Sequence, residues 1–339
     1  MKRHGQLFTQ ICEPEHIREA YELAKKGKGN MRNVRRFAAH EAKGLANIER
    51  MLRQKTFCTS AYTEKQVFEP KPRTIYVLPF YPDRIVQHAL MRVIAPIWQG
   101  LFLRQSYACI QGRGLHAGSQ KTMEYVRRNM YCLKCDISKF YPSVDHEVLL
   151  RIIERKIKCP DTLWLIREIV HSVQGGKNVP IGNYTSQWMG NLYLNELDTM
   201  VKHELYIRDY LRYCDDFLLF HNDKAVLRQA AERIRAFCAD TLKLRLSRCD
   251  LFPVSRGVDF LGYRHFREYI LLRKRTAKRV FKRLRALPEQ LRRGTVRPEL
   301  ARAQIASAWG WMKTANTYNM RRALQLDALK EQVDELCAV

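Results

Sequence analysis

An α+β fold, with antiparallel strands and helices packed on one face, is what this sequence predicts, and three observations carry it. The apolar run from Leu211 to Phe220 is broken in its middle by Asp215 and Asp216, so it reads as two strands with the acidic pair at or near a hairpin turn. Tyr131 to Tyr141 reads as a further strand with Asp136 near its end. Around these segments helical and extended patterns follow one another in the order β-α-α-β-β-α-β, which suits a sheet covered by helices.

Taken in order, residues 12–55 are basic and mainly helical, with Lys25-Lys-Gly-Lys-Gly-Asn-Met-Arg32 as a loop between two helices. Residues 66–80 are extended, punctuated by Pro70, Pro72 and Pro79. From Asp83 to Ile94 the apolar residues recur at helical spacing, and Asp83 is placed to cap the first turn. Helices are expected from Asp145 to about Lys158 and from Asp161 to about His171, with Gln174-Gly-Gly-Lys177 as a turn. A long helix runs from Thr185 or Ser186 towards His203, another lies near 224–241, and short strands fall around 251–263. Residues 270–339 are helical and very basic.

The chain has 339 residues, enough for a large core and two or three subdomains. Lys and Arg number 60 against 34 Asp and Glu, a formal net charge of +26, and such an excess usually meets a polyanion. Nucleic acid is favoured over a membrane: no apolar run approaches the ~18 residues needed to span a bilayer. Met1-Lys-Arg-His-Gly-Gln6 is not followed by an apolar stretch of signal-peptide length, so a cytoplasmic location is expected. The 10 cysteines are scattered, several in apolar segments, as reduced core thiols are. Cys132 and Cys135 form a lone Cys-x-x-Cys; on a strand that spacing points the thiols to opposite faces, and no second pair completes a zinc site.

Two adjacent carboxylates in apolar, aromatic flanks are costly to bury unless something positive sits on them. For Tyr213-Cys-Asp-Asp216 alone the alternative is a solvated turn. Asp136, an acid at the end of a second strand, makes that reading a poor one. Two metal ions clamping the attacking and leaving oxygens of a phosphoryl transfer need such a carboxylate cluster. Tyr141, five positions after Asp136, has a polymerase-like spacing: its ring can lie under the sugar of an incoming nucleotide and exclude a 2′-hydroxyl by bulk.

At these residues the sequence resembles the reverse transcriptases. Asp136…Tyr141 and Tyr213-Cys-Asp-Asp216 are similar to their two catalytic motifs. Lys71-Pro-Arg-Thr-Ile75 with Asp83-Arg-Ile-Val-Gln-His88 resembles the fingers segment, and Ser106 to His116 the basic loop before the first catalytic strand, with Arg113 inside it. Leu242-Lys-Leu-Arg-Leu-Ser247 and Val258-Asp-Phe-Leu-Gly-Tyr263 resemble the last palm motifs, so that the likeness covers roughly residues 66–265. It implies a right-hand polymerase: a basic helical N-terminal extension and fingers over 1–65, a fingers and palm core over 66–265, and a helical basic thumb over 266–339.

Pro180-Ile-Gly-Asn-Tyr-Thr-Ser-Gln-Trp188 narrows the likeness. Most of the family carries Gln-Gly and ends Ser-Pro here, whereas this chain has Ile181-Gly182 and Ser186-Gln187. That departure is similar to the polymerases of diversity-generating retroelements, which copy a template RNA into cDNA with frequent errors opposite adenine. Gly182 allows close backbone approach, and Ile181 can neither donate nor accept a hydrogen bond. Losing one such contact is worth about 1–3 kcal/mol, or roughly tenfold to a hundredfold in discrimination. The alternative is that Ile181 is core packing. In another departure Ser247 is followed by Arg248 where relatives often carry Lys, and an arginine is too weak an acid to protonate a leaving group.

The resemblance implies two Mg²⁺ ions held by Asp136 and Asp215, with Asp216 next in line and the Ile137 carbonyl within reach. It implies deoxynucleoside triphosphates as substrates, with Lys71 and Arg73 for the triphosphate, Tyr141 for the sugar, and Ile181, Gly182 and Gln187 shaping the template and nucleotide pocket. It also implies a template RNA, a primer and a small accessory protein. Arg275, Arg279 and Arg283 repeat every four residues beside Lys274, Lys278 and Lys282, a basic stripe that can straddle primer–template phosphates. Rival readings are another bacterial reverse transcriptase (retron, intron-type or phage-defence) and a catalytically silent RNA-binding scaffold, against which the intact acids argue.

Overall fold

The computed structural model describes residues 3–68 and 72–338. Four helices open the chain: α1 (Phe8–Ile11), α2 (Pro14–Lys25), α3 (Arg32–Ala38) and α4 (Glu41–Arg53). Pro14 starts α2, where its missing N–H costs nothing, and Ile17, Ala20, Tyr21 and Ala24 form its buried face. That face lies along α5 (Ile85–Gln99), whose Ile85, Val86, Ala89, Leu90, Val93, Ile94 and Trp98 are all buried. Between them β1 (Thr63–Val67) and β2 (Arg73–Val77) form an antiparallel ribbon, Val67 opposite Arg73. Lys71 lies outside the described residues.

Asp83 does not cap α5. Its Oδ1 accepts the Ser60 N–H at 2.9 Å, because Tyr81 is extended and the helix begins only at Ile85.

Next come α6 (Leu115–Arg128), β3 (Tyr131–Ile137), α7 (Phe140–Ser143), α8 (His146–Glu154), α9 (Pro160–Val170) and α10 (Tyr184–His203). β3 is shorter than expected, since Lys139 turns left-handed (φ 43°) and leads straight into α7. The hairpin strands β4 (Asp209–Tyr213) and β5 (Asp216–His221) follow, then α11 (Lys224–Asp240) and β6 (Leu246–Pro253). The sheet order is β4-β5-β3-β6, antiparallel throughout. β6 begins earlier than the short strands expected around 251–263; its exposed Ser247, Arg248 and Asp250 hide its strand character from a hydrophobic pattern.

Leu133, Cys135 and Ile137 join Phe217 and Leu219 in a core shared with the helices, including the N-terminal ones. Cys132, Leu218 and Phe220 point the other way, so Cys132 and Cys135 do occupy opposite faces. On the second face, Tyr125 and Val126 of α6 and Val258 and Phe260 cover one end. A one-residue slip of β3 would turn Lys134 and Asp136 into the helix-packed core and bring out three apolar side chains worth about 1.5–3 kcal/mol each, so the register is firmly set.

Val258–Phe260 is β7; with β8 (Tyr263–His265) and β9 (Ile270–Leu272) it makes a three-stranded sheet that crosses residue 265 and interrupts the helical C-terminal region expected from 270. α12 (Lys274–Arg292), α13 (Pro298–Met312), α14 (Tyr318–Ala323) and α15 (Leu326–Ala338) enclose a second core with Tyr263, Leu284, Ile305 and Val333. Among the described residues no helix is long and apolar enough to cross a membrane.

Candidate active site

The three acids meet at the uncovered end of the second sheet face. Asp136 lies directly opposite Asp216 in the β3–β5 pairing, so both side chains leave the same face. Tyr213 pairs with Asp216, which leaves Cys214 and Asp215 as a two-residue turn with Cys214 at φ 53°. A register shift between Asp136 and Ile137 ends the regular pairing with β6. There the Ser247 hydroxyl donates to Asp136 Oδ2 at 2.5 Å, fixing the carboxylate, and lies 3.2 Å from the Asp136 carbonyl. Lys134, only 6% exposed, sets its Nζ 4.0 Å from Asp216 Oδ1 and donates to the Asp259 carbonyl at 2.6 Å.

Burial pushes the Asp215 carboxyl above the ordinary carboxylate range, its own backbone N–H pulls it back, and the charges of Asp136 and Asp216 push it up again. Burial also raises Asp216, against the pull of Lys134 and with the push of Asp136. Arg73, at the start of β2, is close enough to draw Asp215 down. Among the described residues no three or more His, Cys, Asp or Glu side chains are grouped closely enough to hold a metal ion by themselves. Oxygen-only, like-charged and open on one side, the donor set fits Mg²⁺, which keeps waters and takes substrate phosphates as ligands.

Tyr141 packs at the edge of this cluster. Burial raises its hydroxyl pKa well above the ordinary value, with Cys214, Cys109 and Asp215 adding to the rise. Gly190 of α10 makes room for it: a Cβ there would stand 3.1 Å from the rings of Phe140 and Tyr141.

The bend at Ile181–Gly182 docks on β2. Tyr76 N–H donates to the Ile181 carbonyl at 2.7 Å, and a Cβ on Gly182 (φ 125°) would lie 2.3 Å from the Tyr76 carbonyl oxygen. The close approach that Gly182 permits here is therefore to the strand carrying Arg73. Ile181 is half-buried, and Gln187 is exposed on the first turn of α10. Sequence reasoning missed the groups that hold this bend: Ser186 Oγ donates to the Pro180 carbonyl at 2.6 Å, Gln87 Oε1 accepts the Tyr184 N–H at 3.0 Å, and Asn183 Nδ2 donates to the Tyr62 hydroxyl at 2.8 Å. It also missed Ser247 and Lys134, whose partners are distant in sequence.

Arg113, in the loop before α6, is half-buried. Its Nη1 donates to the carbonyls of Leu103 (2.7 Å) and Ser106 (2.9 Å), closing the loop before α6. On α12, by contrast, Thr276, Val280, Leu284 and Leu287 are buried, while Lys274, Arg275, Lys278, Arg279, Lys282 and Arg283 all lie on the exposed side. A large groove between α3, α4 and the Pro79–Tyr81 turn, lined by Arg32, Arg36, Lys43 and Arg50, lies apart from the three acids.

Comparison with known proteins agrees with this geometry. The family model described as "Reverse transcriptase (RNA-dependent DNA polymerase)" matches residues 64–265. Protein YkfC of Escherichia coli (strain K12) is 24% identical over 353 aligned positions, covering 85% of this chain and 88% of that protein. "Nuclear intron maturase 4, mitochondrial" of Arabidopsis thaliana is 23% identical over 209 positions, which are 59% of this chain but only 25% of the maturase. Among solved structures, telomerase from Candida albicans in complex with a TWJ fragment of telomeric RNA aligns with a TM-score of 0.49 and 12% identity, over 83% of this chain and 61% of that one. The family match takes in Arg73, Asp136, Tyr141, Gly182, Asp215, Asp216 and Ser247, and the chain belongs to the reverse transcriptases, the RNA-dependent DNA polymerases.

Proposed function

We propose that this reverse transcriptase is the polymerase of a diversity-generating retroelement. It makes error-prone, adenine-directed cDNA from a template-repeat RNA for mutagenic retrohoming, by two-metal phosphoryl transfer. The observation that carries the subfamily is the Ile181-Gly182…Ser186-Gln187 segment, with a half-buried Ile181 where most of the family has a glutamine. An apolar side chain there withholds a hydrogen bond from the nascent pair, and one contact of about 1–3 kcal/mol is enough to relax selection tenfold or more.

Ile181→Gln is the test. On an RNA template, with and without a candidate accessory protein, the variant is expected to make roughly tenfold fewer errors opposite adenine with little change in total synthesis. An unchanged error spectrum, read by sequencing the cDNA, returns Ile181 to core packing. The likeness to an intron maturase favours, as a second reading, an intron-type enzyme; faithful or evenly erroneous cDNA from the unaltered protein would choose it.

In either reading Asp136 and Asp215 would hold two Mg²⁺ ions, with Asp216 and the Ile137 carbonyl beside them. When bound, these lower the pKa of the primer 3′-hydroxyl and neutralise charge on the transferring phosphoryl group. Ser247 keeps Asp136 aimed at the cleft. Arg73, with Lys71, takes the triphosphate. Tyr141 limits the space beneath the sugar, and Gly182 and Gln187 border the template and nucleotide pocket. A small accessory protein completes the assembly.

The six α12 cations grip the primer–template as a thumb, through phosphates. Replacing Lys278 and Arg279 with glutamine is expected to weaken binding for every sequence alike. The log–log salt slope should shrink by about 1.4–1.8 if each side chain covers one phosphate. Anisotropy titrations over a salt series measure this; an unaltered slope would return the stripe to a merely solvated face.

A further inference from the structure

Helix α10 carries a buried polar stripe that the substrate pocket does not use. Asn191, Asn195 and Asp198 follow one another at spacings of four and three, so they share one face. That face is turned inward: the three residues are 5%, 9% and 0% exposed. Asp198 meets Arg212 of β4, which is also fully buried. The contact is a two-pronged fork, Nε donating to Oδ1 and Nη2 to Oδ2, each at 2.7 Å. Tyr210 braces the same carboxylate, its hydroxyl donating to Oδ1 at 2.6 Å.

The remaining prong reaches the catalytic turn. Arg212 Nη1 donates to the Cys214 carbonyl at 3.1 Å and to Asn191 Oδ1 at 3.2 Å. Asn191 in turn donates to the Ala108 carbonyl at 2.9 Å. The backbone of Arg212 is held on both sides by one loop, its N–H donating to the Gln105 carbonyl and its carbonyl accepting from Tyr107, both at 2.9 Å. The bonded Cys214 carbonyl belongs to the same planar peptide unit as the Asp215 N–H. Fixing one end of this peptide therefore fixes the other, at a residue that must hold a positive φ without being glycine.

A buried ion pair is a poor way to gain stability, because desolvating both charges offsets most of their attraction; a well-packed apolar pair does as well or better. What an apolar pair cannot do is hold a carbonyl in one direction. We propose that Arg212, held in place by Asp198, is a positioning residue that orients the Cys214–Asp215 peptide and so aims the Asp215 carboxylate into the catalytic cleft. This rests on the reading of Asp215 as a catalytic acid.

The experiment separates direction from stability. The double variant Asp198→Leu with Arg212→Met removes both charges and keeps the volume roughly filled. It is expected to fold, with the gain from removing two buried charges set against the Tyr210, Asn191 and Cys214 groups left without partners, to bind primer–template normally and to keep its nucleotide KM within about threefold, while kcat falls about a hundredfold for want of an aimed acid. Arg212→Lys keeps a buried charge opposite Asp198 but has no fork to reach Cys214 as well, so its kcat should fall at little-changed KM, with a lower melting temperature from the acceptors left unpaired. A double variant that folds and turns over normally would overturn the proposal and leave the pair a structural one. If the double variant does not fold, Arg212→Lys decides alone: normal kcat overturns the proposal, reduced kcat at normal KM supports it. Asp215→Asn is assayed in parallel. Activity there would overturn the premise, whereas an inactive Asp215→Asn beside an active double variant overturns the positioning role only.

Discussion

Asp215→Asn is expected to reduce DNA synthesis by at least about a thousandfold, the scale on which removing a reacting group acts, while raising the stability of the metal-free protein. The amide has nearly the shape of the carboxylate, so the two-residue turn and its pairing of Tyr213 with Asp216 have no reason to change. What is lost is one negative charge beside Asp136. RNA binding should stay close to normal, because the exposed cations of α12 lie on another element. The stability gain follows from the raised pKa. Burial holds the Asp215 carboxyl above its unfolded value, so the folded state takes up its proton more readily than the unfolded chain does. The stability linked to that proton is complete below the unfolded pKa, about 3.9, and is lost as pH rises through the higher folded one. At neutral pH the ionised acid is therefore a cost, and asparagine relieves it. Thermal melts without divalent cations should show no advantage for the variant at low pH and a growing one as pH climbs out of the carboxylate range. Normal synthesis would sink the assignment of Asp215; equal melting at neutral pH would sink the account of its burial.

The acids were legible because carboxylates inside apolar strands are expensive, and the sequence displays that expense openly at Asp136, Asp215 and Asp216. The exposed basic stripe of α12 was legible for a similar local reason: helical spacing separates Val280 and Leu284 from the cations around them. What pattern could not supply was the identity of partners far apart in the chain. Asp83 stands where a helix cap belongs, yet its carboxylate is taken by Ser60. Arg113 sits between two glycines in a basic loop, and pattern does not show that its Nη1 bonds two carbonyls of its own loop. Arg212 sits beside the most informative tetrapeptide of the chain, and only the fold shows that its charge is answered by Asp198. Periodicity likewise says that Cys132 is buried, but not that α6 and β7 are what buries it.

Gly182→Ala should disable nucleotide handling more than its one added methyl suggests, and magnitudes decide how. A side chain at φ 125° is strained by about 1–3 kcal/mol, and a Cβ only 2.3 Å from the Tyr76 carbonyl oxygen adds an overpacking cost of about 1–3 kcal/mol. Backbone oxygen in a paired strand cannot swing aside as a flexible side chain would. Against these costs stands the joint's direct bond, Tyr76 N–H to the Ile181 carbonyl at 2.7 Å, worth about 0.5–1.5 kcal/mol net. Opening the joint is cheaper than bearing the clash, so β2 should part from the Ile181–Gly182 bend while both cores stay intact. The melting temperature then falls only slightly. Arg73, however, begins the strand that has moved and no longer faces Asp215. The expected result is a nucleotide KM raised at least about tenfold and kcat/KM lowered about a hundredfold, since misplacing a group by an ångström costs on that order. Gly175→Ala is the control: it also lies at positive φ, 99°, but with open space around its Cβ, and it should leave nucleotide KM unchanged. If Gly182→Ala keeps normal kcat/KM, the joint between β2 and α10 does not place Arg73; if Gly175→Ala loses nucleotide affinity equally, general strain rather than that joint explains the loss.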